Sequence, residues 1–82
     1  MLIPGLGADA RLFRPQREFF PRLETPPWIE WRRAEPLPAY AARLAATIDA
    51  AEPYHLGGAS LGGMLALEMA RVLDPPPRAV FL

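Results

Sequence analysis

Tyr54-His55-Leu56-Gly57-Gly58-Ala59-Ser60-Leu61-Gly62-Gly63 runs from a short apolar stretch through small residues into a long apolar segment that only Glu68 and Arg71 interrupt before Leu73. Read as a strand over 54–59 followed by a helix from Leu61, it carries Gly-x-Ser-x-Gly as Gly58, Ser60 and Gly62. A serine at such a junction occupies a strained turn that lifts its hydroxyl clear of the sheet. Side chains two residues to either side would collide where strand and helix approach. Glycine at 58 and 62 removes those clashes, and Ala59 and Gly63 add room. The helix that begins at Leu61 aims its N-terminal amides at any negative charge that develops beside the serine.

The flanking segments set this turn in an α/β pattern. Leu2-Ile3 reads as a buried strand ending in the loop Pro4-Gly5-Leu6-Gly7-Ala8-Asp9, where Asp9 suits a helix N-cap. Leu12, Phe13, Phe19 and Phe20 mark a helical stretch over 10–20 that Pro15 and Pro21 restrict to short pieces. After Pro26-Pro27, the run Trp28-Ile29-Glu30-Trp31 is aromatic and β-branched and predicts a second strand. Ala41, Leu44, Ala45, Ile48 and Ala51 recur at helical spacing behind Pro36 and Pro38, and Pro53 ends that helix. The apolar helix after Leu61 should be mostly buried and should stop at Pro75-Pro76-Pro77, before a last strand Ala79-Val80-Phe81-Leu82. The expectation is a parallel sheet of about four strands flanked by three helices. Ligands of such sheets bind beyond the carboxyl ends of the strands, where the turns Gly5–Gly7 and Gly57–Gly63 should face one crevice.

On these residues the chain resembles the α/β-hydrolase family, and specifically its small esterase-like members. The resemblance covers nearly all of residues 1–82, from the family's third strand to its sixth, and implies one partial domain truncated after that sixth strand. It identifies Gly58, Ser60 and Gly62 with the nucleophile elbow and Ser60 with the catalytic nucleophile. Pro4-Gly5-Leu6-Gly7 is similar to the family's His-Gly-x-Gly loop, with proline in the first place, so the backbone amides of Leu6 and Leu61 are the implied oxyanion donors. The implied chemistry is hydrolysis of an ester, thioester or amide through an acyl-enzyme, with a small acyl substrate and neither metal nor cofactor. Acyl transfer to another acceptor uses the same machinery.

A serine hydroxyl needs a base, and the family's histidine follows the nucleophile and the acid in chain order. No histidine follows Ser60. His55 precedes it on the same predicted strand and should lie about 16 Å from the hydroxyl at the usual rise per residue. Asp74 reads as a helix-terminus residue, Asp9 as a cap, and Trp28 and Trp31 as core aromatics. The base and acid are therefore expected beyond this chain, leaving residues 1–82 nearly inactive alone. The competing reading is a catalytically inactive fragment or interaction module that pairs, or self-associates, through the unpaired edge of its last strand.

Composition narrows the field further. Hydrophobic residues form 51% and charged residues 22% of the 82, enough apolar material for one core. Nine arginines balance nine acidic residues along the chain, so no positive field is expected to attract nucleic acid or anionic lipid. No segment approaches the roughly 20 apolar residues of a membrane span, and Met1-Leu2-Ile3-Pro4 is no secretory signal, so a soluble cytoplasmic protein is expected. With no cysteine there is neither a disulfide framework nor a thiolate metal site. A nucleotide-binding domain would need a phosphate loop, and neither common glycine-rich form occurs.

Overall fold

The computed structural model describes residues 1–49 and 52–82. Three parallel strands, β1 (Leu2–Ile3), β2 (Leu56–Gly58) and β3 (Val80–Phe81), form one sheet in the order β1-β2-β3. Leu2 lies opposite Gly57 and Leu56 opposite Val80. The ladder extends past the short strands: the Gly57 amide donates to the Met1 carbonyl at 2.9 Å and the Ala59 amide to Ile3 at 3.0 Å. Three helices follow the expected alternation, α1 (Arg14–Phe19) behind a single 3-10 turn over Ala10–Phe13, α2 (Leu37–Ala45) and α3 (Leu61–Ala70). Among the described residues no helix is long and apolar enough to cross a membrane.

One apolar core joins the sheet to α2 and α3. Ile3, Tyr40, Ala41, Leu44, Leu56, Leu65, Ala66 and Met69 are almost wholly withdrawn from solvent. α3 lies across all three strands and against α2, so the helix after the serine links the sheet to α2. Burying each large side chain contributes about 1.5–3 kcal/mol, and most of that gain here is concentrated on this one face of the sheet.

Among the described residues the sheet has three strands, not the four expected. Trp28–Trp31 is irregular because its backbone groups are bound by side chains. The Ile29 amide donates to Tyr40 Oη at 3.2 Å, Tyr40 Oη donates to the Ile29 carbonyl at 2.8 Å, and Arg43 donates to the Glu30 carbonyl at 2.7 Å. The chain does reach the free edge of β1, where Leu2 donates to the Glu24 carbonyl at 2.9 Å. Pro26 and Pro27 follow with no N–H to extend a ladder.

Two helices also end earlier than their periodicity suggests. α2 stops at Ala45, where Thr47 and Ile48 bond three residues back and Thr47 Oγ1 donates to the Leu44 carbonyl at 2.7 Å. The expected Ala51 position lies outside the described residues. α3 stops at Ala70 and is buried or half-buried except at two positions: Leu65, Ala66 and Met69 belong to the core, whereas Met64 is 56% and Leu67 48% exposed.

The segment after Trp31 is anchored to α2 by charge. Glu35 accepts from Arg43 at 2.6 and 2.7 Å and from the Arg32 amide at 3.2 Å, and its side chain is only 6% exposed. The Arg43 bond holds its carboxyl at about 2, against an ordinary 4.5. A carboxylate with a depressed pKa in the folded state stabilises above its unfolded value and loses that stabilisation as pH falls toward the folded one. Urea midpoints should therefore fall between about pH 4.5 and pH 2, and Glu35→Gln should flatten that acid limb. An unchanged limb in the variant would show that Glu35 does not contribute to it.

Candidate nucleophile turn

Between β2 and α3, Ser60 adopts φ 56° and ψ −121°, a left-handed conformation that side chains rarely take. The reason is a backbone crossing. A Cβ on Gly58 would run into the Gly62 carbonyl, and a Cβ on Gly62 into the carbonyl of Ile3 at the end of β1. Strand, turn and first helical turn thus meet with no side chains between them, and the chain reverses through residue 60 by accepting the strain there. The turn closes with Gly62 donating to the Ala59 carbonyl at 2.9 Å and Gly63 to Ser60 at 3.0 Å. Ser60 is exposed, and its hydroxyl does not cap the helix that follows.

The loop after β1 passes directly over this serine. A Cβ on Gly5 would lie 3.4 Å from Ser60 Cβ and 3.3 Å from the Ala59 carbonyl. Gly5 to Ala8 forms a tight turn in which Ala8 donates to the Gly5 carbonyl at 3.0 Å and Gly7 takes φ 75° in the third place, where a type II turn requires glycine. Leu6 occupies the second place, so its amide is left out of the turn's own hydrogen bond. Leu61 opens α3, where no earlier helical carbonyl is available to its amide. Among the described residues neither N–H donates to a protein acceptor. The Leu61 amide follows the exposed serine directly in the chain, and the loop that carries Leu6 lies against Ser60 through Gly5.

The other candidates sit elsewhere. His55 precedes β2 while Ser60 follows it. Its carbonyl accepts from the Met1 amino group at 3.0 Å and its ring lies 5.9 Å from that of Phe81. Asp9 caps the turn at Ala10 and chelates Arg11 at 2.8–3.1 Å; the Arg11 guanidinium, with the Arg11 amide, holds its carboxyl below the ordinary value. Asp74 is exposed beyond the end of α3. Trp31 stacks on Tyr40 at 3.6 Å, and Trp28 packs beside the core.

Sequence reasoning missed the bond from Trp28 Nε1 to the Ala8 carbonyl, 2.8 Å long, which ties the loop over the serine to the far side of the core. The signal available was an indole in an otherwise apolar run, which states a need for an acceptor but not its address. An open concavity of about 1050 Å³ lies near the amino ends of the strands between His55, Phe20, Glu24 and Phe81, and Ser60 is not among its lining residues. Among the described residues no cluster of three or more His, Asp or Glu side chains is placed to hold a metal ion. Comparison of the chain with known protein families, with curated proteins and with solved structures found no match.

The backbone crossing makes opposite demands at neighbouring positions. Ser60→Gly should raise stability by about 1 kcal/mol, because relief of the left-handed strain exceeds glycine's added unfolded-state entropy, whereas Ser60→Ala keeps its Cβ and should change little. Gly62→Ala should cost about 3 kcal/mol or more, because the obstacle is a backbone carbonyl of β1 that cannot move aside alone. Urea unfolding of the three variants checks this, and a Gly62→Ala protein as stable as the parent would refute the crossing.

Proposed function

We propose that this chain carries the nucleophile and oxyanion hole of a serine hydrolase of the α/β-hydrolase type, acting on an ester, thioester or amide through an acyl-enzyme at Ser60. The observation that carries this reading is the left-handed serine between a strand and a helix N-terminus, followed directly by Leu61 and packed against the Leu6 loop through Gly5, with neither the Leu6 nor the Leu61 amide donating to a protein acceptor among the described residues. The order β1-β2-β3, which puts the Leu6 loop next to the serine turn, supports it as well.

In the proposed reaction Ser60 Oγ attacks the acyl carbon as a base removes its proton. The carbonyl oxygen becomes an oxyanion that accepts hydrogen bonds from the Leu6 and Leu61 amides, each contributing on the order of 3 kcal/mol to the barrier. The intermediate expels its leaving group, which takes up the proton, and water then releases the acid from Ser60. His55, beyond the other end of β2, is placed away from this step, so the base and acid belong outside residues 1–82. A second reading, an inactive interaction module, is favoured by the edge of β3: Phe81 is 60% and Leu82 74% exposed, and among the described residues β3 pairs on one side only.

The coding sequence beyond Leu82 separates the two. The hydrolase reading expects an in-frame continuation with an acid after a strand and a later histidine; an immediate stop contradicts it. In that continued polypeptide a fluorophosphonate should label Ser60, and Ser60→Ala should abolish the label. The 82-residue chain alone should label at least about a thousandfold more slowly. No label at Ser60 in the continued polypeptide overturns the reading, and equally fast labelling of the short chain overturns the assignment of the base outside it.

A further inference from the structure

An amide accelerates acyl transfer only if it is already in place when the charge forms, because a donor that must be ordered during the reaction loses most of its advantage. The Leu6 amide sits in a turn with little support of its own. Leu6 is 81% exposed, Gly7 has nothing within 4 Å of where a Cβ would stand, and the Asp9 cap that follows is tied only to its neighbour Arg11. Gly5, at the start of the turn, is buried against Ala59 and Ser60; beyond it the turn's long-range anchor among the described residues is Ala8, whose carbonyl accepts from Trp28 Nε1 at 2.8 Å across 20 positions of sequence.

The indole is itself held from the core. Its ring lies 6.3 Å from that of Tyr40, which is fully buried on α2 and stacks on Trp31 at 3.6 Å on its own account. Tyr40 Oη also takes both backbone groups of Ile29, the residue next to Trp28. Rigid contacts therefore run from α2 through Tyr40 and the Trp28 indole to Ala8, two residues from the Leu6 amide. Trp31 belongs to the same aromatic cluster but makes no hydrogen bond to the loop among the described residues, so it serves as an internal control.

We propose that Trp28 is a positioning residue for the oxyanion hole, its indole N–H fixing the Gly5–Ala8 turn so that the Leu6 amide stands ready beside Ser60. This rests on the hydrolase reading. Trp28 touches no reacting atom and acts only through the Ala8 carbonyl.

Replacing Trp28 with 3-benzothienylalanine exchanges the indole N–H for sulfur at nearly constant shape, and Trp31→Phe is the control. In the 82-residue chain, backbone amide relaxation should show the order parameters of residues 5–8 falling from about 0.85 to below about 0.6 in the benzothienyl variant, with those of α2 and α3 unchanged. In the continued polypeptide, the saturating rate of fluorophosphonate labelling at Ser60 should fall roughly 10- to 100-fold with the half-saturating probe concentration unaltered. Trp31→Phe should leave both readouts at parental values. A benzothienyl variant with an ordered turn, or one whose rate falls only as its folded fraction falls, overturns the proposal. A parent that fails to label at Ser60 defeats the hydrolase reading and the catalytic half of this proposal, while the relaxation data still decide whether Trp28 holds the turn.

Discussion

Backbone meets backbone where the end of β1, the end of β2 and the first turn of α3 converge. Gly58 faces the Gly62 carbonyl and Gly62 faces that of Ile3, with no space for a side chain at either glycine. Three features follow from this approach. The chain must reverse at residue 60, which places Ser60 in a conformation that costs on the order of 1–3 kcal/mol. α3 starts at the carboxyl edge of the sheet, so the unpaired Leu61 amide and the positive end of the helix dipole lie beside the serine. The loop after β1 leaves beside the serine turn, with Gly5 against Ser60 and the Ala59 carbonyl.

That strain persists because the elements on both sides of it are buried. Leu56 and Ile3 hold the strands, and Leu65, Ala66 and Met69 hold α3 against α2, all almost fully withdrawn from solvent. The core lies on one face of the sheet. The other face carries the open concavity near His55 and Phe81, and the outer face of α3 leaves Met64 and Leu67 half exposed. The turn is thus supported by buried elements on both sides of it in the chain, while Ser60 itself is exposed.

The serine turn was legible in the sequence because its determinants are glycines, whose absence of a side chain is itself the structural requirement, and because they lie within five positions of one another. Leu2-Ile3, the parallel order and the placement of His55 and Ser60 beyond opposite ends of β2 were legible for related reasons: they follow from short apolar runs and from strand geometry. Trp28–Trp31 was misread as a strand because β propensity reports a half-buried extended surface and says nothing of what binds the backbone. Here the binding groups are Tyr40 and Arg43, more than ten positions away. The exposure of Met64 and Leu67 was hidden for a similar reason, since apolar composition does not count the faces available to cover a helix. The early end of α2 depended on a local bond from Thr47 that competes with helix continuation, and the tether from Trp28 to Ala8 depended on tertiary geometry alone.

The account stands on the backbone of one residue. Homonuclear and Cα–Hα couplings of Ser60, together with the intraresidue amide–Hα cross-peak and the cross-peak from Ser60 Hα to the Leu61 amide, report its φ and ψ directly in solution. Values near φ 56° and ψ −121° are predicted. A negative φ, with Ser60 forming the ordinary first turn of α3, would contradict the strained turn and remove the basis for an oxyanion site beside it.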